Sequence, residues 1–285
     1  MDILLYDQKG VSYSIQDLKN GLREIAAHDC ETLFIHSDVM FGRPAEGFKR
    51  KEYLQILYET LIDLGVENII VPTFTYSFPN HEDYDIVNSK TSMGAFNEYV
   101  RKLVGRYRTE DPLLSLSVPA SLEPLFNHVS NHSLGEGSGL DIIHHMDGVK
   151  FLFLGAAMSE CFTYVHYVEK MMDVPYRFDM TFEGNVIFSD GHVKKRSQTI
   201  HTQCGGVILP ERYDHFENEM EEKSLLRKIR MGDKYIACIS EKDAYGQIHE
   251  HILRNSYYYV SKPYTDEDLT HVYTYDYTKG RITHC

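Results

Sequence analysis

The chain reads as an α/β protein: a mixed sheet, parallel at its centre and flanked by helices, with antiparallel hairpins in the C-terminal half. Three observations carry that expectation. Residues 14–78 alternate a helical apolar period with short buried apolar runs, giving a β-loop-α-β unit in which right-handed parallel pairing is the default. VKFLFLGA at 149–156 is uninterrupted in its apolar residues, as a central strand covered on both faces is. From 180 to 210 apolar and polar residues alternate around Ser189-Asp190-Gly191-His192, a turn sequence between antiparallel strands.

Taken in order, Ile15, Leu18, Leu22, Ile25 and Ala26 fall at helical spacing behind Ser14, an N-cap residue type, and predict a helix over 14–28. ETLFIHSD gives a short strand through Leu33, Phe34 and Ile35 that stops at polar His36, Ser37 and Asp38, before the loop FGRPAEG. Strand ends of this kind present ligand-binding groups in α/β sheets. KEYLQILYETLIDLG predicts the next helix, and ENIIVPTFTYSF the next strand, whose end carries Pro72, Thr73 and Thr75. TSMGAFNEYVRKL predicts a helix from 91, GRYRTEDPLLSLSVPA a proline-broken stretch lining a cleft, GEGSG at 135–139 a tight turn, and TYVHYVEKMM a helix after the central strand. Residues 214–231 predict one helix, acidic at its start (Asp214, Glu217, Glu219) and basic at its end (Arg227, Lys228, Arg230), in accord with the helix dipole. The Tyr-rich last fifty residues match no clear pattern. No repeat or linker divides the chain, so 1–285 is expected to be one domain.

The 285 residues carry 29 Lys+Arg against 42 Asp+Glu, a net charge of −13. That balance disfavours nucleic acid as a partner and favours a cationic one. Five widely separated cysteines (Cys30, Cys161, Cys204, Cys238, Cys285) contain no Cys-x-x-Cys pair and suggest neither a disulfide frame nor a zinc site. No basic, apolar leader opens the chain and no run approaches the roughly 18 apolar residues of a membrane helix, so a cytoplasmic location and no membrane partner are expected. There is no GxxxxGK[ST] phosphate loop and no GxSxG nucleophile elbow.

His166 and Glu169 form the most informative local pair, because i,i+3 spacing on a helix puts both on one face and a carboxylate beside an imidazole makes a base near neutral pH. Other patterns have simpler explanations. HEHIL at 249–253 has Leu253 where a zinc-protease helix needs histidine. His128 with His132, and His144 with His145, lack a recognisable companion set, so no metal is expected. Cys204, beside Gly205-Gly206, has the type of an acyl-accepting nucleophile, but cysteine is more often a small buried residue. Tyr257-Tyr258-Tyr259 fits packing better than base stacking.

Taken in sequence, FIHSD, IIVPTFTYSF (69–78), YDIVNSKTSMGAFNEYVR (84–101), SLS (115–117), GEGSG, VKFLFLGA and TYVHYVE (163–169) resemble the successive blocks of the aminoglycoside 3-N-acetyltransferase family, which also holds nucleotide-sugar N-acyltransferases. The resemblance implies transfer of an acyl group from coenzyme A to a sugar amine by direct attack. It makes His166 the base for the attacking amine and Glu169 its support. Thr75, or a neighbouring amide, becomes the candidate donor to the tetrahedral oxyanion. The same resemblance places His36, Ser37 and Ser115 at the acyl-CoA site, where Thr73 is also expected; Tyr76 is expected at the acceptor, and Glu136 contacts either the acceptor or the backbone of its own loop.

Two departures bear on the acceptor. Many antibiotic-modifying members carry Arg-Ser-x-His-Pro where this chain has Arg108-Thr109-Glu110-Asp111-Pro112, and Gly-Glu-Gly-Ser-Pro where it has Gly139. The expectation is therefore an acetyl or 3-hydroxybutyryl transferase acting on a dTDP-linked deoxyamino sugar, with an aminoglycoside as the alternative acceptor. A homodimer is compatible with an enzyme of this size.

Overall fold

The computed structural model describes residues 3–203, 213–261, 265 and 271–284. The first half of the chain runs β1 (Ile3–Tyr6), β2 (Ser12–Ser14), α1 (Ile15–Glu24), β3 (Thr32–Ser37), β4 (Arg43–Pro44), α2 (Arg50–Ile62), β5 (Asn68–Pro72), β6 (Tyr84–Asp85), α3 (Ala95–Val100), β7 (Arg106–Arg108) and β8 (Leu116–Pro119). It continues through α4 (Glu123–Phe126), α5 (Gly139–His144), β9 (Val149–Leu154), α6 (Met158–Cys161) and α7 (Tyr164–Met171). Next come β10 (Arg177–Ile187), β11 (Val193–Gln203), α8 (Asp214–Glu222), β12 (Arg227–Met231), β13 (Lys234–Ser240), α9 (Glu241–Arg254), β14 (Tyr273–Asp276) and β15 (Arg281–His284).

The main sheet has seven strands in the order β12-β13-β9-β3-β5-β8-β7. β3 pairs parallel with both β5 and β9, and the remaining neighbours are antiparallel. The expected mixed sheet with a parallel centre is thus the observed one. Alternation along β3 explains why: Leu33 and Ile35 pack on one face with α1 and α2, while Phe34 packs on the other with α5, α7 and α9. Burial on both faces is what an unbroken apolar run encodes.

α1 starts where Ser14 caps it. The Ser14 hydroxyl accepts from the Asp17 amide at 3.1 Å and Asp17 Oδ2 accepts from the Ser14 amide at 2.7 Å, a reciprocal box worth about 1 kcal/mol. The long hairpin β10–β11 pairs eleven residues, from Arg177↔Gln203 to Ile187↔Val193. Its turn is held by the His192 amide donating to Asp190 Oδ1 at 3.0 Å, with Gly191 at a left-handed φ of 85°. Tyr273 of β14 stacks on Phe178 of β10 and Tyr275 meets Phe182 edge-on, which gives the Tyr-rich tail a packing role.

Two expectations are corrected. The helix expected over 214–231 ends at Glu222, Ser224 takes a left-handed φ of 58°, and 227–231 extends as an edge strand. Ile229 and Met231, two residues apart, lie on one sheet face against α1, so strand alternation overrides the charge gradient. The strand expected to reach residue 78 stops at Pro72, and 73–77 turns away under hydrogen bonds from the Thr73, Thr75 and Ser77 amides to carbonyls at 112–115.

Candidate active site

His166 sits on α7, which follows β9 off the C-terminal edge of the parallel strands. Ser37, the last residue of β3, pairs with Leu154 at the end of β9, so both lie on one edge of the sheet. At the bend between β9 and α6, Gly155 has φ 71°, and a Cβ there would stand 2.3 Å from the Asp38 carbonyl oxygen. Helical spacing then brings His166 Nδ1 within 2.7 Å of Glu169 Oε2. Glu169 is fully buried and accepts at Oε1 from the Tyr176 hydroxyl at 2.5 Å. From the start of β10, Arg177 brings Nε to 2.7 Å from the same Oε2, without hydrogen-bond alignment, and Nη2 to 2.8 Å from His166 Nδ1. His166 remains 27% exposed, and no residue described partners its Nε2.

The electrostatics follow from these neighbours. Burial raises the proton affinity of Glu169, but Arg177, His166 and Tyr176 outweigh it and pull the carboxyl down to about 2. For His166, desolvation and the Arg177 cation both lower the proton affinity while Glu169 opposes them, and the net shift is downward. The ring is therefore neutral at pH 7, with a lone pair to offer.

The network continues along the hairpin. Arg177 Nη1 donates to the His201 carbonyl at 3.3 Å. Asp179 Oδ1 meets His201 Nδ1 at 2.8 Å and His132 Nε2 at 3.1 Å, and its Oδ2 takes Lys170 Nζ at 2.7 Å. His132 Nδ1 accepts from the Leu134 amide, which fixes its tautomer and ties the 132–139 loop to the hairpin. Glu136 of that loop is exposed, and Ser138 caps α5 by accepting from the Asp141 amide.

Beside the strand ends lies a cavity of about 660 Å³. Ser37, Met40, Phe48, Arg50, Tyr53 and Phe96 are among its lining residues, mostly apolar walls with one guanidinium. That volume is in the range of small-molecule sites.

The family model described as aminoglycoside 3-N-acetyltransferase matches residues 35–252. The chain belongs to the aminoglycoside 3-N-acetyltransferase family. A curated relative, aminoglycoside N(3)-acetyltransferase III of Salmonella sp, is 27% identical over 114 residues, and that match covers 39% of this chain and 39% of the relative's own length. Among solved structures, AAC-IIIb in binary complex with CoASH superposes with a TM-score of 0.68 at 18% identity, covering 89% of this chain and 99% of that one. AAC-VIa bound to sisomicin gives a TM-score of 0.68 at 17% identity, covering 84% and 96%. At such identities these likenesses establish the fold of this member of the family.

Within the family fold, the residues expected from sequence separate into two groups. His166 and Glu169 meet, and Ser37 lines the cavity while its hydroxyl donates to Asn97 Oδ1 at 2.7 Å. His36 is buried beneath it, stacked on Phe153, with its Nε2 unpartnered, and burial lowers its pKa to about 3.

Thr73 and Ser115, expected at the acyl-CoA site, have no exposed surface. Thr73 donates to the Ser115 carbonyl, Ser115 donates to the Thr73 carbonyl, and buried Arg108 Nε faces both hydroxyls at 3.2 and 3.3 Å. They hold two loops together. Thr75, expected to donate to an oxyanion, already donates from its hydroxyl to the Pro112 carbonyl at 2.8 Å and from its amide to the Leu113 carbonyl at 3.2 Å. Both donors are thus engaged within the protein. Tyr76 is exposed, with a left-handed φ of 53°.

Of the remaining candidates, Cys204 lies outside the described residues. Cys161 and Cys238 are thiols whose proton affinity burial raises. Among the described residues no group of three or more metal-ligating side chains could hold an ion, and no helix is long and apolar enough to cross a membrane. Arg177 was missed. It stands on a strand beyond a turn, and no periodicity links it to His166.

Proposed function

We propose that the chain, acting as one α/β domain, transfers an acetyl group from acetyl-CoA to an amine of an aminoglycoside, with His166 as general base. The observation that carries this reading is the His166–Glu169 pair: Nδ1 is engaged by a buried carboxylate, while Nε2, on a partly exposed ring, has no partner among the described residues. An amine attacks only when neutral, and a ring that is itself neutral at pH 7 can take its proton during attack. We assign the cavity beside β3 to acyl-CoA. Its apolar walls at Met40, Phe48, Tyr53 and Phe96 match a pantetheine arm, and Arg50 matches a phosphate. When bound, that cosubstrate supplies the thioester carbonyl.

The sisomicin-bound relative and the net charge of −13 favour a polycationic acceptor. The dTDP-linked acceptor is expected from two departures, at 108–112 and at Gly139, and the structure weakens the argument from the first. Asp111 is buried and accepts from the Leu113 and Leu114 amides, and Glu110 is paired with Arg196 at 3.2 Å. Asp111 serves the loop itself, and Glu110 ties it to β11. The test is CoA thiol release from acetyl-CoA, offered sisomicin, a dTDP-linked amino sugar, or no acceptor. Release with sisomicin alone is expected, and release with the nucleotide sugar alone overturns the acceptor assignment.

A further inference from the structure

This inference deepens the proposed function and rests on His166 being the base. Nδ1 of His166 has one in-plane position and two claimants, Glu169 Oε2 at 2.7 Å and Arg177 Nη2 at 2.8 Å. If Nδ1 carries a proton, it donates to Glu169 and Nε2 keeps a lone pair. If Nδ1 is bare, it accepts from Arg177 and the ring proton sits on Nε2, where the ring has no base to offer. Whenever Nδ1 is protonated, N–H faces N–H across that 2.8 Å gap; the doubly protonated ring alone adds cation beside cation.

We propose that Arg177 is a positioning residue: its guanidinium keeps buried Glu169 anionic and aimed at Nδ1, and it disfavours the imidazolium, so that His166 rests neutral and returns its proton in every turnover. The choice between tautomers falls to Glu169, because a buried carboxylate in a charge-assisted hydrogen bond is the stronger partner for Nδ1–H. During transfer, the amine nitrogen bonds to the acyl carbon, the C–S bond breaks, and its electron pair leaves on sulfur. The amine proton goes to Nε2 of His166. The imidazolium so formed is the state Arg177 opposes, so the proton passes on to the thiolate, giving the CoA thiol and a neutral ring.

Charged and titratable groups face this pair from each element packed on it. Glu169 and Lys170 come from its own helix, and Tyr176 from the turn before β10. Asp179 comes from β10, His201 from β11 and Tyr259 from the segment after α9, while Tyr213, just before α8, acts on both Glu169 and Arg177. Lys170 and Asp179 pair with each other, which leaves Glu169 and Arg177 to set the balance at His166.

The experiment is an NMR titration of the His166 Cε1–H resonance, assigned with His166→Gln, in the full chain and in Arg177→Met, Arg177→Gln and Arg177→Lys. In the unsubstituted protein the midpoint is expected below the ordinary histidine value of about 6.5. In either neutral variant the proton affinity rises at least tenfold, the acid limb of kcat/KM moves to higher pH with it, and Arg177→Lys restores most of the shift. Glu169→Gln moves the midpoint the other way. A midpoint above 6.5 in the unsubstituted protein, or one unmoved or lowered in a folded neutral variant, overturns the proposal. Absence of acyl transfer alongside a raised midpoint refutes the proposed function and leaves the role of Arg177 standing.

Discussion

Two polar clusters lie under the same edge of the sheet, one around His166 and one around Arg108, and only the first leaves an atom to react. Arg108 donates to the Thr73 and Ser89 carbonyls at 2.7 and 2.6 Å and closes over Thr73 and Ser115, whose hydroxyls answer each other's backbone. Arg177 is just as buried, yet its neighbours include a ring whose Nε2 has no partner among the described residues. Polar residues at a strand end do not by themselves make a site. An unengaged atom on a partly exposed side chain is what marks the His166 cluster as the candidate, and the clusters can be told apart by what each loses when cut.

The largest separation is expected from His166→Gln, which should lower acyl transfer by roughly 10²- to 10⁴-fold while leaving circular dichroism and thermal midpoint nearly unchanged. Retained activity in a folded variant removes His166 from the mechanism. Arg108→Met is its opposite. It strands buried carbonyls and should cost about 3 kcal/mol or more in urea unfolding, with the folded fraction still active over an unshifted pH range. A shifted pH profile in Arg108→Met would collapse the distinction from Arg177.

Much of the fold was legible because β3 and β9 are covered on both faces and read as apolar runs, and because Ser14 and Asp17 advertise a helix start. The His166–Glu169 pair was legible for the same reason, being an i,i+3 relation within one helix. What escaped is non-local. Arg177 reaches His166 only because β10 begins beside α7, and the hydroxyls of Thr73 and Ser115 are sealed by Arg108 across antiparallel strands. Strand-end hydroxyls look alike in sequence whether they face a ligand or each other. The helix expected over 214–231 failed similarly, since the pairing of β12 with β13 is long-range.

Acid sharpens the comparison next. His36 and His201 are buried, and burial holds them at about 3 and about 4, whereas the unfolded chain takes up those protons near 6.5. Stability therefore falls as pH drops from 6.5 towards 4, by up to about 1.4 kcal/mol per pH unit for each ring. Glu169 adds to the loss at lower pH, because its depressed pKa gives stability present above about 4.5 and lost as pH falls through about 2. His36→Phe, in a cage of Phe34, Phe153 and Phe162, should flatten the decline of thermal midpoint between pH 6.5 and 4. An unchanged slope would show that another group sets it.

The smallest effect concerns hydroxyls that the primary structure could not distinguish. Thr73→Val removes an internal donor and should cost about 1 kcal/mol of stability while leaving KM for acetyl-CoA unmoved, because no surface of Thr73 is exposed. Ser37→Ala removes a hydroxyl that lines the cavity, and its bond to Asn97 Oδ1 shows that Ser37 also orders the wall where α3 begins. Its expected signature is a rise of a few-fold in KM for acetyl-CoA with little change in urea midpoint. If Thr73→Val raised that KM and Ser37→Ala did not, the cosubstrate would enter by another route than the cavity beside β3. The closed cluster would then have to open on binding.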